Sequence, residues 1–261
     1  MAGALKGRFF GIAVLLVWGL IKLPIETGLT ARFHREQIGG YKITASLRQQ
    51  AGQTGFIAVL GGLRAPVADL LFIRAHIAWQ QRVEYGRMKL YFDICTTLQP
   101  RREIFWDMAA WHMAYNGAAY IEQTEHDPYI RDRQMKEYYK VGEDYLLQAV
   151  ENCPDSWILY DRLGALYRDK FHDPCKASAA YSRAAERPNR LDYTRRLAVY
   201  YLADCPGHER EAYDKLLALY KESEKEWLPT LLEKLQTLER KLGIPKKERV
   251  YIPEKHRLPP D

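Results

Sequence analysis

From Ala65 to the last quarter of the chain, apolar residues recur at intervals of three and four. Proline and glycine gather in short breaks, and the strict alternation of a half-buried strand is missing. This spacing predicts helices over 66–81, 87–98, 102–119, 134–151, 156–169, 174–186, 191–203, 208–221 and 228–241. Asp155 and Asp173 stand where a side chain can accept from the first amides of a following helix. Pro174 suits a first helical turn, and Gly243 with Pro245 stops the last helix. Connections of a few residues force neighbouring helices to run antiparallel. The exception is 120–133, where the polar run Tyr120 to Pro128 reads as an insertion with a turn. The fold class expected is all-α.

The amino terminus has a different pattern. Lys6 and Arg8 precede a run without charge from Phe9 to Ile21; Lys22 interrupts it, and Leu23-Pro24-Ile25 extends it. Seventeen helical residues span about 25 Å, just short of a bilayer core, and Lys22 can reach the headgroups. An uncleaved single-span transmembrane anchor over 1–30 is the preferred reading. A cleaved signal peptide competes, although the residues after the run offer no good cleavage site, and a buried core helix fits the basic flanks poorly. The charges nearest the run favour an extracytoplasmic soluble domain, while Arg32, Arg35, Lys42 and Arg48 argue for the other side. The expected organisation is an anchor over 1–30, a juxtamembrane linker over 31–64, a helical domain over 65–243 and an extended basic, proline-containing tail over 244–261.

The helical region repeats. Pro154 and Pro188, Gly164 and Ala198, and Tyr167 and Tyr201 share one offset of 34, and Pro100 to Pro154 fits the same period with a 20-residue insertion. The unit centred on 155–188 carries Leu163-Gly164-x-x-Tyr167, then Ala177-x-x-x-Tyr181-x-x-Ala184, then Pro188. Small residues at Gly164, Ala177 and Ala184 allow two helices to approach closely, and Tyr167 and Tyr181 fill the space between hairpins. This unit resembles the tetratricopeptide repeat, with one extra residue in the turn between its helices. Units at 101–154 and 189–222 match more loosely. The segment from Leu60 to Ala75, with Gly61-Gly62 and Arg64-x-x-x-Ala68-Asp69, is similar to the opening of a group of bacterial membrane-anchored proteins with such repeats. The resemblance implies an α-solenoid of about four helical hairpins behind one N-terminal transmembrane helix. It implies no mechanism.

In such an array the first helix of each hairpin lines an inner groove. Transferring that register gives Asp107, Trp111, Tyr115, Asp161, Ala165, Arg168, Arg195 and Val199 as residues for a protein or peptide partner. A solvated face or inter-helix packing is the competing reading of these positions. Arg64 and Asp69 are expected to form a structural ion pair, because Asp69 sits among apolar residues and a buried carboxylate needs a partner. Cys175 and Cys205 occupy turns of successive hairpins and can form a disulfide if the domain lies outside the cytoplasm. Cys95 reads as buried filler, and Cys153 falls at a helix end.

Composition removes several classes. Among 261 residues, 47% are apolar and 28% charged, with 18 Tyr and six Trp, which describes a folded protein. The net charge of +6 resides at the two ends: +5 over 1–62 and +2 over 246–261, leaving −1 for the remainder. A nucleic-acid binder needs its positive charge on the folded surface, so none is expected. Four cysteines without a CxxC pair make neither a disulfide scaffold nor a cysteine zinc site. No phosphate loop, GxSxG elbow or HExxH occurs; His208-Glu209-Arg210-Glu211 lacks the second histidine. No catalytic residue, metal, cofactor or small-molecule substrate is expected. The function expected is a non-enzymatic scaffold or adaptor in a membrane-associated assembly. A purely structural subunit of a larger membrane complex and an envelope-biogenesis enzyme are its alternatives.

Overall fold

The computed structural model describes residues 62–80 and 85–253. The expected anchor, nearly all of the linker and the end of the tail lie outside the described residues. Among the described residues no helix is long and apolar enough to cross a membrane, and there is no strand.

Two compact units meet between Val67 and Ala68. The described part of the first is the beginning of helix α1 (Arg64–Gln80), where the Val67 amide donates to the Leu63 carbonyl. The second unit contains the rest of α1 and all later elements. Helix α2 spans Tyr85–Leu98. Helix α3 (Glu103–Trp111) passes through a π-helical segment, His112–Gly117, into α4 (Ala118–Thr124). Helix α5 spans Pro128–Asn152, and α6 (Trp157–Leu166) ends in a second π segment, Tyr167–Phe171. Helices α7 (Pro174–Ala185), α8 (Tyr193–Ala203), α9 (Glu209–Glu222) and α10 (Pro229–Lys241) follow.

Local chemistry fixes the boundaries. Asp173 accepts from the Lys176 amide with Pro174 in the first turn of α7. For α6 the cap is Ser156, which accepts from the Leu159 amide, and not Asp155 as the sequence suggested. Helix α10 ends as glycine permits. Gly243 has φ +67°, its amide donates to the Arg240 carbonyl, and the Ile244 amide donates to the Glu239 carbonyl.

The expected insertion at 120–133 is not a loop. Only Glu125 to Asp127 leave the helix, because Asp127 caps α5 through the Tyr129 and Ile130 amides and Pro128 occupies its first turn. The extra residues lengthen α4 and α5 instead. Tyr85, Tyr120 and Tyr138 cluster there, with ring centroids 5.4 and 5.6 Å from Tyr85.

From α2 onward, with α3 and α4 continuous through the π segment, each helix packs on the next in the chain, and short connections make these neighbours antiparallel. Small residues permit the closest approaches. A Cβ on Gly142 of α5 would lie 2.5 Å from Ala114 Cβ, and one on Gly164 would lie 2.9 Å from the Tyr181 ring. One apolar core runs from Ala75 through Phe92, Trp106, Leu146 and Leu159 to Ala198. A second joins α8, α9 and α10 and includes Ile252 from the tail. Residues 244–253 therefore lie along the last hairpin: the Val250 amide donates to Glu239 Oε1 at 2.8 Å, and the Tyr220 hydroxyl to the Tyr251 carbonyl at 2.8 Å.

Cys175 and Cys205 form a disulfide that joins the start of α7 to the turn after α8. Cys95 and Cys153 are buried free thiols.

Candidate functional site

Two π segments contribute to the site. A π turn takes one residue more than an α turn, so the side chains beyond it are rotated by about 100° from the uninterrupted register. Tyr115 lies in the first π segment and Asp169 in the second. They are 54 residues apart, the offset of Pro100 from Pro154, and thus hold equivalent places in successive hairpins. The Tyr115 hydroxyl donates to Asp169 Oδ2 at 3.3 Å.

A cavity of about 460 Å³ opens between these helices. Its apolar lining comes from Met108, Ala110 and Trp111 of α3, Ala114 of the first π segment, Leu146 of α5, and Ala165 and Leu166 of α6. Charges stand at both ends. At one, Arg162 Nε donates to Asp107 Oδ1 at 3.1 Å, tying α6 to α3. Burial pushes the Asp107 carboxyl upward despite that partner. At the other, Arg168 donates from Nε and Nη2 to both oxygens of Asp169, and its Nη1 donates to the Tyr181 hydroxyl at 3.3 Å. Hydrogen bonds from Arg168 hold Asp169 below the usual carboxylate range, and the Asp169 bond raises Arg168 in turn. Lys170 Nζ sits 4.7 Å above the Tyr115 ring centroid. Burial, then the Asp169 charge, pushes the Tyr115 phenol upward and keeps it protonated.

Each carboxylate is engaged by an arginine, the phenol keeps its proton, and no histidine lines the cavity. Among the described residues, no three His, Cys, Asp or Glu side chains converge as metal ligands. His112 lies fully buried, its ring stacked on Phe92 at 5.5 Å and edged by His76, Trp79 and Trp111. Burial pushes it down to about 4.

Of the eight groove residues expected from sequence, Asp107, Trp111, Tyr115, Ala165 and Arg168 line this one cavity. The other three do not. Asp161 is buried, and desolvation raises its carboxyl although a hydrogen bond with Tyr193 pulls it down. Arg195 pairs with Glu222 at 2.9 Å, and Val199 is buried in the second core. The Arg64–Asp69 ion pair is also corrected. Asp69 is exposed, five residues place it about 140° around α1 from Arg64, and no ion pair joins them among the described residues. Gly164, Tyr167, Ala177, Tyr181 and Ala184 are buried between helices, whereas Pro188 is exposed in the turn. The sequence reading missed Arg162 and Asp169; the 54-residue offset from Tyr115 was the signal for Asp169.

No family model matches the sequence, and no characterised relative matches it.

Proposed function

We propose that the protein is a membrane-tethered scaffold whose stacked hairpins, of tetratricopeptide-like character, hold a peptide segment of a protein partner. The segment lies in the cavity between the second and third hairpins. The observation that carries the reading is the convergence of Trp111, Tyr115, Ala165 and Arg168 from separate helices on one cavity. An apolar floor between two arginine–carboxylate pairs suits a segment that buries an apolar side chain and exchanges hydrogen bonds at either end. The apolar run over 9–25 supports the tether. The Cys175–Cys205 disulfide supports an extracytoplasmic domain, since such bonds persist in oxidising compartments.

The test places a photoreactive benzoylphenylalanine at position 111 of the full chain in its native membranes. A discrete protein adduct is expected, and Ala165→Trp, which fills the cavity, is expected to reduce it at least tenfold. An adduct indifferent to Ala165→Trp, or no protein adduct, overturns the reading.

A second reading, a structural subunit of a larger membrane complex, is favoured by one observation: α1 carries exposed Leu70, Ile73 and Ile77 on its outer face.

A further inference from the structure

Helix α1 is apolar on two opposite sides. Ala68 and Ala75 are fully buried, and Phe72 packs its ring against Phe92 and Phe105. Opposite them, Leu70, Ile73 and Ile77 are 62%, 54% and 44% exposed. A helix that is apolar all round is ordinarily covered all round.

The intervals along the outer stripe, three and then four, are those of an a–d–a coiled-coil seam. Setting Leu70 at a and Ile73 at d puts Ala68 and Ala75 at f, the position farthest from the seam. It also puts Asp69 at g and Arg74 at e, and both are exposed. In a parallel pair, g of one helix meets e of the other five residues further on. Asp69 and Arg74 are separated by that interval. In an antiparallel pair like flanks meet, so Asp69 at g and Arg74 at e, on opposite flanks, would not face each other.

We propose that α1 is a self-association helix, and that its outer face takes the same face of a second copy of this chain in parallel. Each Asp69 then pairs with Arg74 of the other copy, twice across the two-fold axis. Leu at a with Ile at d favours larger bundles in free coiled coils. Here the domain itself covers the side of α1 that carries Phe72, Ala68, Ala75 and His76, which leaves room for one partner helix. Three seam residues per chain make a weak contact in solution. The helix is already folded, however, and confinement of both copies to one bilayer raises their effective concentration. That confinement rests on the anchor proposed above; the seam and its charges do not.

The test uses the full chain in detergent and in liposomes, with Ile73→Cys on the two-fold axis. Oxidation is expected to give a covalent dimer well above an exposed control, Gly86→Cys. Asp69→Arg or Arg74→Asp in that background is expected to cut the yield at least fivefold, and the double reversal to restore it to within twofold. Restoration separates lost pairing from misfolding. The photo-adduct at position 111 is expected to survive all these changes, so this proposal and the groove reading fail separately. The proposal is overturned by yield no higher than the control, by indifference to charge reversal, or by preferential Leu70→Cys to Ile77→Cys crosslinking, which marks an antiparallel pair. A lipid-borne quencher that reaches a fluorophore at position 73 overturns it as well, in favour of the bilayer.

Discussion

Gly164 of α6 lies directly on the ring of Tyr181 of α7: a Cβ there would stand 2.9 Å from three ring atoms. The ring is held in place: Tyr201 stacks on it at 5.7 Å, and Arg168 donates to its hydroxyl. Gly164→Ala gains helix propensity of up to about 1 kcal/mol but forces two packed helices apart. We expect a net loss of about 1–2 kcal/mol in urea unfolding, and Tyr181→Leu in the same background should recover part of it.

The same pair shows what sequence could and could not reveal. Gly164 and Tyr181 belong to a periodic pattern with short breaks, so their helices and their contact were legible from spacing. The π segments were not, since an α and a π turn use the same residue types and differ only in what presses on them. Asp161 and Val199 lie outside the π segments, in α6 and α8, and the repeat register alone does not show that each faces a neighbouring helix: Asp161 is buried near Tyr193, and Val199 is in the second core. Asp69 was misjudged for a related reason. Its apolar neighbours do not form one buried face: Leu70 points outward and Ala68 inward.

The Cys175–Cys205 bond closes a loop of 30 residues. In the chain-entropy view such a link is worth about 3–4 kcal/mol. Cys175→Ser with Cys205→Ser is expected to lower the melting midpoint by several degrees, and reductant should do the same to the native chain only. Cys95 and Cys153 should resist iodoacetamide at neutral pH until unfolding, because burial pushes their thiols up to about 12 and about 11. Rapid labelling of either in folded protein would show that α2 or the end of α5 opens locally.

Acid is expected to weaken the region around His112. The folded ring titrates at about 4 and the unfolded one near 6.5, with burial and then the neighbouring His76 as causes. A depressed folded value means the contribution is complete above pH 6.5 and is lost as the pH falls toward 4. The gap corresponds to about 3 kcal/mol. His112→Phe keeps the stack on Phe92 and removes the titration, so its stability should be flatter between pH 4 and 6.5. An unchanged slope would assign the acid response to other groups.

Glu239 is 2% exposed, and its carboxylate accepts from the Val250 amide and from the Tyr213 hydroxyl at 3.4 Å. Burial raises it, and these bonds and Arg249 only partly compensate. It fastens the tail to α10 and brings Ile252 into the core. Glu239→Gln keeps an acceptor at that place and should cost little. Glu239→Leu leaves the Val250 amide without its partner, at a cost of about 1–3 kcal/mol. The expected readout is local: faster amide exchange at Val250 and earlier tryptic cleavage after Arg249, with α5 to α8 unaffected. Equal acceleration throughout the domain would mean instead that the second core unfolds together with the first.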